Sequence, residues 1–148
     1  MISKLSSLSK AIKDLLEDNE TLTPILLGVN PVPACRPRVT KWGVFYTKTY
    51  NNWRTEAQKF ITQSKKRFTG PLVVLVEIHG KKPKTTKRQW PRGDVDNHAK
   101  GPLDLLTKHA ECWNDDDQVV GLWVTKQYAD PGEERTVVTI YELKYEKK

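Results

Sequence analysis

A chain of 148 residues, 37% hydrophobic and 29% charged, has enough apolar side chains for one modest core and too many for wholesale disorder. It holds neither an apolar run long enough to span a bilayer nor the continuous apolar stretch of a secretory leader, which argues against a membrane role. A formal net charge of +7 points to a polyanionic partner, nucleic acid first among them.

Leu5, Leu8, Ile12, Leu15 and Leu16 recur at helical spacing. They predict an amphipathic helix over Ser3–Asp18, within an N-terminal extension (residues 1–20) that ends before the Thr21–Pro24 break. Ile25–Val29 follows as a short strand, and Asn30-Pro31-Val32-Pro33 must be extended or turned because proline fixes φ. Gly43–Thr47 reads as another short strand. Tyr50–Phe68 places Trp53, Ala57, Phe60, Ile61 and Ser64 on one face of a helix that Gly70-Pro71 terminates. Leu72–His79 is rich in β-branched residues and predicts a central strand buried on both faces. Lys81–Arg92 is a long basic loop. A second helix is expected after Asn97 with Leu103, Leu106 and Ala110 inward, either starting at Pro102 or kinked there. Val119–Gln127 and Arg135–Tyr145 alternate as strands, and Asp130-Pro131-Gly132 between them predicts a hairpin. Together these elements predict an α+β single domain, a mixed β-sheet packed by two helices, with the extra N-terminal helix.

The distribution of charge says more than its sum. Between Arg36 and Arg67 nine of the ten charged side chains are basic, and Lys81–Arg92 carries six basic residues and no acidic one. The sign then flips, with seven acidic residues from Asp94 to Asp117 against Lys100 and Lys108. A basic protein with one acidic segment suits an enzyme that grips phosphates and holds a cation where it cuts, although solvated charge runs look the same in isolation.

Asp94-Val95-Asp96-Asn97 is the sharpest feature. In an extended segment Asp94 and Asp96 face the same side. Two carboxylates so close repel unless a cation lies between them, and oxygen-seeking Mg²⁺ or Mn²⁺ resolves that conflict. The plain alternative is a turn or a helix cap. Asp115-Asp116-Asp117 precedes the Val119 strand, and the intervening helix, by turning the chain back, is expected to set this run beside Asp94. Lys100, one turn after Asp96, is read as a phosphate contact or as an ion pair with Asp96 and Asp104. Other chemistries fail on spacing. An EF-hand would need glycine at Ala99 and glutamate at Leu105, no Walker loop is present, and His79, His98, His109 and Cys112 lack paired zinc spacing. Cys35 and Cys112 are expected as reduced thiols in a cytoplasmic setting, with one disulfide the alternative.

Three strings extend the pattern: Arg92 through Lys100, Asp104-Leu105-Leu106, and Trp113 through Val120. Upstream lie Pro31-Val32-Pro33, Arg36-Pro37-Arg38 and the aromatic-basic stretch Tyr46–Arg54. In this ordered series, from about Gly28 to Glu142, the chain resembles the RusA family of Holliday junction resolvases. The resemblance implies an endonuclease domain over residues 24–146 that acts as a homodimer, depends on Mg²⁺ (with Mn²⁺ a substitute) and nicks four-way or branched DNA symmetrically. It carries metal binding onto Asp94, Asp96 and Asp116, with Asp115 the neighbouring candidate, and a catalytic lysine onto Lys100. Asp117 is an extra aspartate in that loop. Arg36, Arg38, Lys81, Lys82, Lys84, Lys87, Arg88 and Arg92 are then expected to hold the DNA arms through phosphates. Trp90 or Tyr46 is a candidate wedge at the crossover, or else packs in the core. A nuclease for other branched or flapped DNA, and a non-enzymatic DNA-binding protein, are the competing readings.

Overall fold

The computed structural model describes residues 20–21, 24–61, 67–109 and 112–143. The expected N-terminal helix lies outside them. Among the described residues seven strands run in chain order: β1 (Glu20–Thr21), β2 (Ile25–Leu27), β3 (Arg38–Thr40), β4 (Gly43–Phe45), β5 (Leu72–Gly80), β6 (Val119–Tyr128) and β7 (Arg135–Glu142). Helix α1 (Lys48–Gln58) sits between β4 and β5, and α2 (Val95–Asp104) between β5 and β6. The domain is α+β, as expected, with the two helices accompanying a mixed sheet.

β5 is the centre of that sheet. Its apolar run needs partners on both edges and cover on both faces. It pairs in parallel with β6, from Leu72↔Val119 to Gly80↔Tyr128, and antiparallel with β7, from Leu72↔Glu142 to His79↔Arg135. β1 and β2 both add to the far edge of β7. Leu72, Val74, Val76 and Ile78 of β5 join Leu27, Trp53, Ala57, Phe68, Leu106, Trp113, Val138 and Ile140 in one core.

The expected hairpin of β6 and β7 does not form. Asp130-Pro131-Gly132 does turn the chain, with Glu133 N–H donating to the Asp130 carbonyl at 2.9 Å and Gly132 at φ 84°. Yet the strands it joins flank β5 instead of each other. The connection crosses the end of β5, where Ala129 N–H donates to the Gly80 carbonyl at 2.8 Å. Two strand spacings are only about 10 Å, which this connection spans easily. Pairing both edges of the most apolar strand outweighs the shorter path of a hairpin.

α1 starts where Thr47 caps it, its hydroxyl accepting from Tyr50 N–H at 3.3 Å, and it buries Tyr50, Trp53 and Ala57. The helix ends at Gln58, earlier than the apolar spacing suggests. Tighter bonds from Phe60 N–H to the Ala57 carbonyl and from Ile61 N–H to the Gln58 carbonyl close it, turning Ile61 into the core. Residues 62–66 of the expected span lie outside the described part. α2 begins at Val95, before Asn97, and runs through Pro102. Proline has no N–H to give the preceding turn, and the helix widens into a π-turn over Leu105–His109 instead of breaking. β3 and β4 form a small separate ribbon, of which only the Gly43 strand is legible in the sequence.

Candidate active site

The basic loop ends in a fixed platform for Asp94. From β6, the Lys126 ammonium donates to the carbonyls of Pro91 (2.9 Å) and Gly93 (2.6 Å), and the Tyr128 hydroxyl donates to the Trp90 carbonyl (2.9 Å). Charge-assisted bonds of this kind are about twice as strong as neutral ones. At the other side, His98 Nε2 lies 2.9 Å from the Arg92 carbonyl, so that nitrogen carries the proton. Nδ1 is buried and, among the described residues, has no partner. Burial holds the His98 pKa below its ordinary value and keeps the ring neutral. Gly93 completes the platform at φ 95°; a β-carbon there would lie 2.7 Å from His98 Nε2.

Asp94 then occupies the N-cap position of α2. Its carbonyl accepts His98 N–H at 3.0 Å, but its side chain makes no capping bond. A cap aspartate normally spends its carboxylate on the first-turn amides. Here the carboxylate stays available, and both Asp94 and Asp96 are exposed. They do not share one extended segment as expected: the helix starts at Val95, which puts Asp96 in its first turn, where positions two apart do not face the same side. The positive end of the helix dipole offsets part of their mutual repulsion. Such a hard-oxygen pair suits a divalent cation.

The second acidic segment is ordered by Gln118. Its Oε1 accepts from Asn114 N–H (2.7 Å) and Asp115 N–H (3.1 Å), and its Nε2 donates to the Phe68 and Gly70 carbonyls, both at 3.1 Å. Asp115 caps the short 3₁₀ turn Asp116–Gln118, accepting from Asp117 N–H at 3.0 Å. Its carboxylate is therefore occupied within its own loop. Asp116 differs: its carboxylate meets the Thr107 hydroxyl, which in turn accepts from Trp113 Nε1 at 2.7 Å. Of the three adjacent aspartates, Asp116 is the one whose carboxylate meets a side chain from the helical segment before the loop.

One chain does not bring these segments together. Asp94 follows the loop pinned to the C-terminal end of β6, whereas Asp116 precedes its first residue. From Val119 to Lys126 the strand covers roughly 20 Å, and from Asp96 to Thr107 the helix covers about 16 Å. Among the described residues no group of three His, Cys, Asp or Glu side chains is placed to hold a metal ion. The intervening helix does turn the chain back, as expected, but a crossover between parallel strands delivers it to the opposite end of the sheet. Lys100 is exposed one turn after Asp96 and makes no ion pair with Asp96 or Asp104 among the described residues. That leaves it available to an incoming anion. Asp104 instead lines a cleft with Tyr46, Tyr50, Arg54 and Lys108.

Around Asp94 and Asp96 the cations are displayed outward. Lys81, Lys82, Lys84, Lys87, Arg88 and Arg92 are all exposed on the loop, with Lys82 5.7 Å from the Tyr128 ring and Arg88 5.8 Å from the Trp90 ring. Arg36 and Arg38 are exposed at the base of the β3–β4 ribbon. Trp90 is about half exposed, while Tyr46 packs edge-on against Tyr50 at 5.5 Å. Sequence reasoning missed Lys126, Tyr128, Thr107, Trp113 and the structural role of Gln118. A lysine inside the otherwise apolar β6 run is a signal that could have marked Lys126; nothing local marks Thr107. Among the described residues no helix is long and apolar enough to cross a membrane. A family model described as Endodeoxyribonuclease RusA matches residues 28–141. A search of curated proteins gives no match.

Proposed function

The chain belongs to the RusA endodeoxyribonuclease family, and from that premise we propose that it is a Mg²⁺-dependent nuclease that resolves four-way DNA junctions by paired, symmetric nicks in recombination and repair. The observation that carries this reading is the uncommitted carboxylate pair, Asp94 and Asp96, set at a helix start directly behind six exposed cations. The cations draw the phosphate backbone in by displacing its counterions and position it without reading sequence. Asp94 and Asp96 would hold a divalent ion, which would supply Lewis-acid polarisation of a phosphate oxygen and activation of a water. Lys100, on the same helical face as Asp96, neutralises charge developing on the phosphate. Lys126 and His98 hold the backbone of the preceding loop, so that the geometry of the pair is set before DNA arrives.

The distance between Asp96 and Asp116 bears on assembly. If Asp116 is the third ligand, a second copy must supply it, packed so that the start of its β6 meets the end of the first. A two-fold dimer of that kind has two such sites, one for each cut of a two-fold junction. The experiment is strand-labelled cleavage of a mobile four-way junction with and without Mg²⁺. Symmetric nicks that require the metal are expected. Cutting of flaps but not junctions would transfer the reading to other branched DNA, and tight binding without any product would end it.

Thr107 provides a finer expectation. Thr107→Val keeps the shape but removes the hydroxyl between Trp113 Nε1 and Asp116. Outer-shell losses of this type cost about 10- to 100-fold in metal affinity or activity. Nicking should therefore demand more Mg²⁺ while junction binding stays unchanged. A metal titration that superimposes on that of the parent protein would remove Asp116 from the metal site.

A further inference from the structure

The β3–β4 ribbon carries apolar side chains that the domain does not use. Every residue from Arg38 to Phe45 is exposed, including Val39 (76%), Trp42 (79%), Val44 (58%) and Phe45 (51%). Two strands of three residues cannot hold themselves together by pairing alone. Val39 and Val44 are paired on one face and Phe45 lies on the other, so the ribbon exposes apolar side chains on both sides as well as at its tip. The turn is nevertheless well defined. Trp42 N–H donates to the Thr40 hydroxyl at 3.2 Å, and Gly43 at φ 134° lets the chain reverse directly after the tryptophan. Trp42 is thus presented at the tip, with the Lys41 ammonium 5.1 Å from the centre of its ring.

The base of the ribbon stands beside the carboxylate pair. Ala34 N–H donates to the carbonyl of Asn97, the residue after Asp96, at 2.8 Å. On the returning side, Thr47 N–H and the Thr47 hydroxyl both lie 3.5 Å from Cys35 Sγ, and Thr47 caps α1. The chain on both sides of the ribbon is thus anchored, on one side to the helix that carries Asp96. From Arg36 to Arg54 there are five basic side chains and no acidic one. Two copies meeting ribbon to ribbon would set Arg38 and Lys41 against identical charges. A polyanion with exposed π-faces satisfies both the charge and the aromatic tip.

We propose that this ribbon is a branch-point probe: Trp42 stacks on a base left unpaired or splayed where DNA arms meet, while Arg36, Arg38 and Lys41 hold the flanking phosphates. The proposal rests on the reading of the chain as a branched-DNA nuclease. With the Lys41 ammonium over the indole and the residue largely exposed, the ring remains accessible to a base. Stacking of this kind tolerates any sequence, which suits recognition by shape.

The test uses the full chain carrying Asp96→Asn, so that DNA stays intact, with a fixed four-way junction and a linear duplex of equal length. A 2-aminopurine base at the branch point reports stacking. Adding Trp42→Ala is expected to weaken junction binding by roughly tenfold or more and to abolish the 2-aminopurine quenching. Duplex binding should change less than twofold, and Trp42→Phe should retain most of the junction preference. Equal loss on both DNAs, or no loss on either, overturns the proposal. So does a change in oligomeric state on Trp42→Ala, which would give the ribbon to a second copy. If the parent protein cuts junctions but Trp42→Ala binds them equally well, the probe is refuted and the functional reading stands. If the parent shows no preference for junction over duplex, the functional reading fails and the probe with it.

Discussion

On the proposed reading, Asp96→Asn is expected to lower metal-dependent nicking of a four-way junction by on the order of a thousandfold or more, because it removes a charge from the carboxylate pair proposed to attract the cation. The substitution is nearly isosteric and the site is exposed, so folding should be little affected. Loss of an acidic residue from the first turn costs at most about 0.3–1 kcal/mol of helix stabilisation, and relief of repulsion with Asp94 opposes that loss. Junction binding in metal-free buffer should be unchanged or tighter, since one negative charge facing the phosphates is gone. Single-turnover cleavage, fluorescence anisotropy and a thermal melt together separate these effects. Nicking within tenfold of the parent protein would take Asp96 out of the metal site.

The same variant probes the shared site when mixed with Asp116→Asn. If Asp116 acts across the dimer, the mixed dimer pairs both lesions in one site and leaves the other intact. Activity then returns, limited to single nicks. If each chain built its own site, both sites would stay broken and mixing would restore nothing.

Asp94 and Asp96 stand out in the sequence as a candidate pair because the signal is local: two carboxylates, one residue apart, at the edge of a helical pattern. β5 is legible for a similar reason, since an apolar β-branched run bounded by Gly70-Pro71 and a lysine-rich loop has few alternatives. Asp116 is legible as a member of its loop through Gln118-Val119-Val120, but its position relative to Asp96 is not. Residue spacing states how much chain intervenes; which end of the sheet that chain reaches depends on whether β6 pairs parallel or antiparallel to β5. The misplaced hairpin has the same origin. Asp130-Pro131-Gly132 dictates a reversal, and only competition for the edges of β5 decides which strands become neighbours. Lys126 is hidden for a further reason, because its partners are backbone carbonyls of a loop thirty-odd residues earlier, and carbonyls leave no trace in a side-chain pattern.

Gly101→Ala is expected to destabilise the fold, although helix propensity alone predicts the opposite. Gly101 lies inside α2, where alanine is ordinarily about 1 kcal/mol better, and it is followed by Pro102, worse by about 3 kcal/mol than alanine in a helix interior. Such a pair in the helix that bears Asp96 and Lys100 needs a tertiary reason. The reason is Trp53. A β-carbon on residue 101 would lie 2.7 Å from Trp53 Cζ3, 3.0 Å from Cη2 and 3.4 Å from Tyr50 Cε1. Trp53 is only 3% exposed and stacks on Tyr50 with ring centres 6.0 Å apart and planes 6° from parallel. With both rings buried and stacked, the added methyl forces Trp53 to shift or α2 to move off α1. Overpacking of this kind costs about 1–3 kcal/mol, enough to outweigh the propensity gain, and valine should cost more. Urea denaturation should show the loss, and nicking should fall further than stability alone explains, because Asp96 and Lys100 travel with the helix. Trp53→Phe removes the two ring atoms in the clash, so the pair Gly101→Ala with Trp53→Phe should be more stable than the sum of the single effects. If Gly101→Ala instead stabilises the protein by about 1 kcal/mol, the close approach of the two helices is not what the glycine serves.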